Sequence, residues 1–162
     1  MTKVYISIGS NIDKENSIRQ GVIDMQDAFG VLELSSVYQS EAVGFDGDDF
    51  YNLVAAFETT KDVMTISRQL HEIEDKNGRD RSGPRFSSRT LDLDLLVFDD
   101  LITQENNLDV PRGEILENAF VLWPLAEIAP ALLHPITKQT YAELWDAFDK
   151  NKEKLYPVTF DF

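Results

Sequence analysis

Hydrophobic residues at the start of the chain recur first at the spacing of a strand and then at the spacing of a helix. Residues 4–8 are apolar or β-branched and run into the turn-forming triplet Gly9-Ser10-Asn11, which predicts a buried strand. Asp13 can cap a helix that ends near Gly30. The apolar face of this helix recurs at steps of four, three and four residues: Ile18, Val22, Met25 and Phe29.

Residues 31–78 predict two strands, a loop and a second amphipathic helix. Residues 31–40 and 51–58 have strand character, and residues 41–49 between them, with two glycines and three aspartates, predict a loop. Thr60 can cap the helix and Gly78 can end it. Its buried stripe is formed by Val63, Ile66, Leu70 and Ile73.

Residues 91–98 predict a fourth strand and complete an order of strand, helix, strand, strand, helix, strand. This order is typical of ferredoxin-like α+β domains, in which helices pack on one face of an antiparallel sheet. C-terminal additions follow: an apolar run at 119–125 and a helix near 141–148. With 162 residues, 43% apolar content and no internal repeat, we expect a single domain over 1–162.

The composition excludes several classes of function. The chain has no cysteine, so it has no disulfide framework, thiol nucleophile or thiolate zinc site. No apolar run approaches the ~20 residues of a membrane span, and the N-terminus does not resemble a signal peptide. We therefore expect a soluble cytoplasmic protein without a membrane partner.

The charge is unevenly distributed. A formal charge of −14 opposes general nucleic-acid binding, which relies on clustered lysines and arginines. Yet five of the seven arginines fall within one stretch of 34 residues: Arg79, Arg81, Arg85, Arg89 and Arg112. This concentration of guanidinium groups in an acidic protein indicates a binding site for a small anion.

Asp92 and Asp94 lie in the fourth predicted strand. Residues two apart in a strand point to the same face, so the two carboxylates are paired while Leu91, Leu93 and Leu95 face the other side. Magnesium prefers oxygen ligands and commonly binds one or two carboxylates together with substrate phosphates. An Asp pair beside arginines therefore suits Mg·ATP. Alternatively, the aspartates lie on a solvated face and pair with arginines.

Residues 78–89 form a glycine- and serine-rich loop with four arginines. Guanidinium groups bind phosphate oxygens through two parallel hydrogen bonds, and phosphoryl transfer relies on positioning and charge neutralisation. The loop is either a phosphate-binding segment or an ordinary solvated loop.

Several motifs, in order along nearly the whole chain, resemble the 6-hydroxymethyl-7,8-dihydropterin pyrophosphokinase family. They are Gly9-Ser10-Asn11, Asn52, Gly78-Arg79-x-Arg81, Arg89-Thr90-Leu91-Asp92-Leu93-Asp94, Val110-Pro111 and the run from Phe120 to Pro130. The resemblance implies an ATP- and Mg²⁺-dependent enzyme of folate biosynthesis. Members of this family transfer the pyrophosphoryl unit of ATP to a reduced pterin and release AMP, and they are commonly monomers.

The resemblance also implies roles for individual residues on the phosphate side. Asp92 and Asp94 would bind two magnesium ions, and Arg79 and Arg89 would contact the reacting phosphates. Arg81 and Arg85 would lie in a loop over ATP. Arg112 is a further candidate for ATP binding. Glu74 corresponds to a position that helps to order the arginine loop, although a carboxylate on the helix surface is an equally good interpretation.

On the pterin side, the resemblance implies a ring held between aromatic side chains. Phe120 is the first candidate and Phe50 the second, with Phe86 nearby, while Asn52 would hydrogen-bond the pterin edge. Ser40 and Val43 would flank the pocket. Taken alone, Phe50 and Phe120 are more typical of core aromatics than of ligand contacts, whereas an amide at Asn52 must find partners if it is buried.

The sequence departs from the family pattern on the nucleotide side. Arg112 stands where the family usually has histidine, and Asn118 where it has arginine. Ser87-Ser88 replaces the usual Gly-Pro, and Asn107 and Asp109 precede Val110. Arg112 could supply the charge missing at Asn118. Because Asp92, Asp94 and the two central arginines, Arg79 and Arg89, are intact, we favour retained catalysis.

Two other functions are compatible with these residues. A divergent relative could bind a pterin or nucleotide without turnover. A metal-dependent nuclease or phosphatase could use the Asp pair, but the sequence places no histidine or lysine close to it. His71 and His134 are 63 residues apart, which favours surface or core roles for both.

Overall fold

The computed structural model describes residues 1–41, 47–78 and 90–162. The strands are β1 (Thr2–Ser10), β2 (Glu33–Leu34), β3 (Val37–Ser40), β4 (Phe50–Thr59), β5 (Asp92–Phe98) and β6 (Leu155–Val158). The helices are α1 (Lys14–Phe29), α2 (Val63–Lys76), α3 (Ala119–Ile128) and α4 (Tyr141–Ala147), with a 3₁₀ turn at Gly113–Leu116. No helix in these ranges is long and apolar enough to cross a membrane.

The six strands form one antiparallel sheet in the order β5-β1-β4-β3-β6, with β2 also paired to β4. The first four strands in this order have the arrangement of a ferredoxin-like domain, which confirms the predicted α+β class. β6 is a C-terminal addition to it.

The strand predicted for residues 31–40 is interrupted at Ser35. The Ser35 hydroxyl accepts a hydrogen bond from Val54 N and donates one to Ser36 O. Side-chain bonds of this kind compete with the regular ladder. The pairing register with β4 shifts by one residue here, since Leu34 faces Ala55 while Tyr38 faces Asn52.

The two faces of the sheet carry separate hydrophobic clusters. On one face, α1 and α2 pack on Ile6, Leu53 and other strand residues. On the other face, α3 and α4 pack on Val54, Leu96 and neighbouring residues. Helices thus cover both faces: α1 and α2 of the ferredoxin-like part share one face, as predicted, and the C-terminal additions α3 and α4 cover the other. Strands buried on both sides have nearly continuous apolar sequences, as β4 does.

The helix starts differ from the predicted caps. Asp13 occupies the position before α1, but its side chain accepts from Asn16 Nδ2 rather than from a backbone amide. Thr60 is not the cap of α2, because Asp62 accepts a hydrogen bond from Thr65 N at 2.8 Å. Gly78 follows the end of α2 in a left-handed conformation, as the predicted stop requires (φ 83°).

Candidate active site

Three residues form a row across the sheet at the carboxyl end of β1. Gly9 pairs with Asn52 of β4 on one side and with Asp92 of β5 on the other. Ser7 pairs in the same way with Val54 and Asp94. Neighbouring strands are about 4.8 Å apart, so roughly 10 Å separates the backbones of Asn52 and Asp92. The row lies on the face covered by α3, because Val54 packs in the α3 cluster.

The alternation in β5 is as predicted. Leu91, Leu93 and Leu95 are buried in the α1/α2 cluster, while Asp92 and Asp94 are half-buried on the opposite face. The strand therefore presents both carboxylates to the α3 side, at the end of the sheet where the row lies.

Gly9 keeps the middle of the row open. A Cβ atom at this position would lie 3.2 Å from Asn52 Oδ1 and 3.9 Å from Phe50 Cδ1. A side chain here would crowd the Asn52 amide, which would have to shift by a few tenths of an ångström. The glycine therefore leaves this surface open beside Asn52.

The end of the row on β3 and β4 is polar but uncharged. Asn52 is only 4% exposed, and its Nδ2 donates a 2.7 Å hydrogen bond to Ser40 Oγ. Phe50 lies two residues before Asn52 on the same face of β4 and is half-buried. The structure thus brings together Ser40, Phe50 and Asn52, whereas Val43 lies outside the described residues.

Phe120 lies in the first turn of α3 and packs against the α3 cluster, half-buried. The N-terminus of this helix is satisfied from a distant segment, since Ala119 N donates to the Glu153 carboxylate at 3.0 Å while Asn118 makes no side-chain cap. Burial raises the pKa of Glu153. The position of Phe120 is consistent with either a core role or a ligand contact.

At the opposite end, Arg112 lies against the carboxylates. Its Nη2 is 3.6 Å from Asp94 Oδ1 and 2.9 Å from Glu114 Oε1. The backbone N–H of Arg112 donates to Leu96 O at 2.9 Å, which fixes this residue beside β5. The sequence did not predict a role for Glu114.

Glu74 supports the aspartates from α2. It is 3% exposed, and its carboxylate accepts a 2.8 Å hydrogen bond from Leu93 N, the amide between Asp92 and Asp94. The interpretation of Glu74 as a carboxylate on the helix surface is therefore wrong. An acid buried against this amide orients the segment that carries both aspartates.

The carboxylates around Asp94 exceed the positive charge that the described residues supply. Burial raises the pKa of Asp94 well above its ordinary value, and the charges of Asp92, Glu114 and Glu74 add to this effect while Arg112 opposes it. A hard divalent cation would relieve this excess, so the residues fit magnesium. The described residues contain no group of three acidic, histidine or cysteine side chains that could hold a metal. A bound ion would thus need substrate and water oxygens besides Asp92 and Asp94.

A small cavity of about 70 Å³ adjoins Asp94. His71 and Arg112 line it together with Asn107 and Asp109. His71 is exposed, one of the two roles that the sequence favoured, but it lines this cavity with Asp94, so the expectation that no histidine lies close to the Asp pair is wrong. The signal was present, because His71 precedes Glu74 by three residues and therefore shares its side of α2.

The remaining predicted site residues fall between positions 79 and 89, outside the described residues. They are Arg79, Arg81, Arg85, Phe86 and Arg89.

Comparison with known proteins identifies the family. The model of the 7,8-dihydro-6-hydroxymethylpterin-pyrophosphokinase (HPPK) family matches residues 5–130. The chain belongs to the HPPK family. Its relatives include the 2-amino-4-hydroxy-6-hydroxymethyldihydropteridine pyrophosphokinase of Bacillus subtilis, 37% identical over 128 residues, with 76% of each protein covered. The Haemophilus influenzae enzyme of the same name is 32% identical over 157 residues, which cover 94% of this chain and 96% of that enzyme.

Other HPPK relatives are longer proteins. The folic acid synthesis protein fol1 of Schizosaccharomyces pombe is 32% identical over 159 residues, and the chain spans only 21% of its length. A crystal structure of Plasmodium falciparum HPPK-DHPS superposes with a TM-score of 0.71 at 13% identity, covering 90% of this chain and 45% of that one. This similarity confirms the fold.

HPPK membership confirms the predicted enzyme class. The reaction of the family is the transfer of pyrophosphate to hydroxymethyldihydropterin in folate synthesis, with ATP as co-substrate, and its substrates are small molecules. The comparisons give no support to the alternative of a non-catalytic homologue.

Proposed function

We propose that this HPPK chain transfers the β,γ-pyrophosphoryl group of ATP to 6-hydroxymethyl-7,8-dihydropterin across the row formed by Asn52, Gly9 and Asp92. The observation that carries the proposal is the register of three adjacent strands. It sets a buried, hydrogen-bonding amide and a pair of carboxylates at opposite ends of one open surface. A flat heterocycle on the glycine would have its edge at Asn52 and its hydroxymethyl group toward the aspartates.

On the pterin side, Asn52 hydrogen-bonds the edge of the ring, and Ser40 fixes the orientation of the Asn52 amide. A hydrogen bond from a preoriented buried amide distinguishes a pterin from rings without matching groups. Phe50 and Phe120 supply aromatic surface for stacking. Val43 and Phe86 complete the pocket in this proposal.

On the phosphate side, Asp92 and Asp94 would hold two magnesium ions, which when bound would neutralise negative charge on the triphosphate. Arg79 and Arg89 contact the reacting phosphates, and Arg112 contributes a further contact.

In the proposed transfer, one bond to the β-phosphorus forms as another breaks, and residues on the phosphate side keep water from reacting instead. The pterin oxygen forms a bond to the β-phosphorus as the bond from that phosphorus to the α-phosphate oxygen breaks. The hydroxyl proton is released and AMP leaves. Arg81 and Arg85 bind the polyphosphate, so that hydroxymethyl rather than water reaches the phosphorus.

The proposal also includes the oligomeric state, the number of domains and the location of the protein. One chain carries both ends of the row on a single sheet, so a monomer with one domain suffices for catalysis. We also propose a cytoplasmic location, because its substrates are small molecules.

The test is AMP formation from ATP, Mg²⁺ and the pterin, followed by chromatography. We expect the unmodified protein to release AMP and not ADP, and the double variant Asp92→Asn, Asp94→Asn to lose this activity. Asp100→Asn removes an exposed carboxylate just beyond β5 and serves as the matched control with full activity. Equal AMP formation by the double variant would contradict the proposed role of the aspartates.

A further inference from the structure

Arg112 is held by two acids through one nitrogen. Its Nη2 lies 2.9 Å from Glu114 Oε1 and 3.6 Å from Asp94 Oδ1, and all three side chains are between 21% and 29% exposed. The shorter distance shows that Glu114 is the closer partner. Asp94 is therefore the contact that Arg112 can give up more easily.

A second atom of the same guanidinium is unused. Arg112 Nε is buried and has no hydrogen-bond partner in the part of the chain that the structure describes. A buried donor without a partner is costly, and each one in a native structure requires an explanation. An anion that accepts from Nε would remove this cost.

The position of Arg112 conflicts with metal binding at Asp94. A guanidinium 3.6 Å from a carboxylate oxygen occupies part of the space and charge that a divalent cation needs, and two cations this close repel each other. Asp94 can bind a metal fully only if Arg112 turns away. Glu114 can hold the guanidinium during that movement, because its bond does not involve Asp94.

We propose that Arg112 is an internal counter-ion of Asp94 that makes metal binding depend on the nucleotide. Without nucleotide, the guanidinium neutralises Asp94 and weakens the metal site. When the triphosphate enters, Arg112 turns toward it, Nε and Nη donate to phosphate oxygens, and Asp94 becomes available to the metal. Glu114 is the positioning residue that holds the guanidinium between its two partners. This inference rests on the proposed function, since it takes a triphosphate as the arriving anion.

The proposal requires opposite effects of one substitution on two affinities. Removing the guanidinium should strengthen metal binding in the absence of nucleotide, because a repelling charge is lost. The same change should weaken nucleotide binding, because a phosphate contact is lost. A residue with only a structural role would weaken both.

Direct binding of Mn²⁺ tests this without turnover. Its affinity is measured by electron paramagnetic resonance, with and without the non-hydrolysable α,β-methylene-ATP. We expect Arg112→Met to bind Mn²⁺ about tenfold more tightly without nucleotide and to bind methylene-ATP about tenfold more weakly in the presence of Mn²⁺. Arg112→Lys retains the charge and should keep Mn²⁺ affinity close to that of the unmodified protein.

The matched control is Arg68→Met on α2. Arg68 is exposed and pairs with Glu72 at 3.6 Å, so its loss should change neither affinity. Glu114→Gln should weaken Mn²⁺ binding without nucleotide, because Arg112 then depends on Asp94 alone. If Arg112→Met does not fold, as judged by circular dichroism, Arg112→Gln replaces it in the same measurements.

The counter-ion proposal is overturned if Arg112→Met leaves Mn²⁺ affinity without nucleotide unchanged or lowers it. That result would leave the proposed function intact if the unmodified protein still forms AMP. Conversely, suppose that Arg112→Met binds Mn²⁺ more tightly but the unmodified protein forms no AMP. That result would support the counter-ion and contradict the proposed function.

Discussion

The two ends of the Asn52–Gly9–Asp92 row are built on different principles. At the proposed pterin end, Asn52 and Ser40 are buried, neutral and bonded to each other. At the proposed phosphate end, several carboxylates surround the guanidinium of Arg112, whose Nε is buried without a partner in the described ranges. The first end has its hydrogen bonds satisfied within the chain, whereas the second leaves an excess of negative charge and a free donor that the proposed metal and triphosphate would satisfy.

This difference shows that the two ends of the row affect the stability of the folded protein differently. A satisfied neutral pair adds specificity at little cost to the folded protein. Buried like charges lower stability but hold the electrostatic potential that a metal and a triphosphate require. Substitutions at the two ends should therefore separate activity from stability in opposite ways.

The largest effect should come from Asp94→Asn. We expect AMP formation to fall about a thousandfold, since loss of this proposed metal ligand would remove several kcal/mol of transition-state stabilisation. Without Mg²⁺, the melting temperature of this variant should rise, because the ionised Asp94 is disfavoured by burial and by its acidic neighbours. Calorimetry at neutral pH checks this, and a lower melting temperature would contradict the excess of charge at this end.

Asn52→Leu removes the buried amide at the other end of the row, and here both substrate binding and stability should fall. It leaves the Ser40 hydroxyl without its partner and removes the amide contact to the pterin. We expect KM for the pterin to rise about 10- to 100-fold, since one lost buried hydrogen bond costs on the order of 1–3 kcal/mol, and the melting temperature to fall. KM for ATP measured in the same assay is the control. An equal rise in both KM values would contradict the separation of the two ends.

Glu74 tests the support of the phosphate end. Glu74→Ala leaves Leu93 N unpaired and should lower the free energy of unfolding by about 1.5 kcal/mol in urea titrations. Glu74→Gln retains an acceptor for Leu93 N and should lose less. If both variants lose the same amount, the negative charge of Glu74 rather than its hydrogen bond holds β5 in place.

The smallest effect should come from Asp24, which lies away from both ends. Burial alone would raise the pKa of this carboxyl, but hydrogen bonds from Asn77, Gln20 and Lys76 and the charge of Lys76 outweigh burial and lower it. A lowered pKa stabilises the fold above the ordinary value of about 3.9 and loses this contribution as the pH falls through the lowered pKa.

Asp24→Asn should therefore cost about 1 kcal/mol at pH 7, and this difference should disappear in strong acid. Urea titrations at both pH values measure it. A difference that stays constant with pH would show that packing rather than charge is lost.

Local patterns were sufficient to predict one part of this molecule. The alternation of Leu91, Asp92, Leu93 and Asp94 determined which side chains face the core and which face the site, because the period of a strand leaves no other choice. The order of strands and helices predicted the ferredoxin-like arrangement. The interruption of the predicted strand at Ser35 was not predictable, since it depends on the Ser35 hydroxyl, which accepts a hydrogen bond from Val54 N of β4.

The features of the site that the sequence did not predict depend on partners distant in sequence. Glu74 is an ordinary helix carboxylate until α2 packs beside Leu93, and Glu114 gains meaning only because the segment near Arg112 is bonded to Leu96. The sequence also did not predict which face of the sheet α3 and α4 cover, because their packing depends on contacts distant in sequence. Sequence indicated the chemistry of Asp92 and Asp94 but not the residues that tune it.

The hydrogen bond from Leu93 N to Glu74 has a consequence for solubility. β5 is the outermost strand on its side of the sheet, and a free outer strand can pair with another molecule and start aggregation. Glu74 occupies the outward amide of Leu93, and Arg112 N occupies the outward carbonyl of Leu96. The Glu74 side chain and the Arg112 backbone, both at the proposed phosphate site, therefore also occupy groups through which this strand could pair with another molecule.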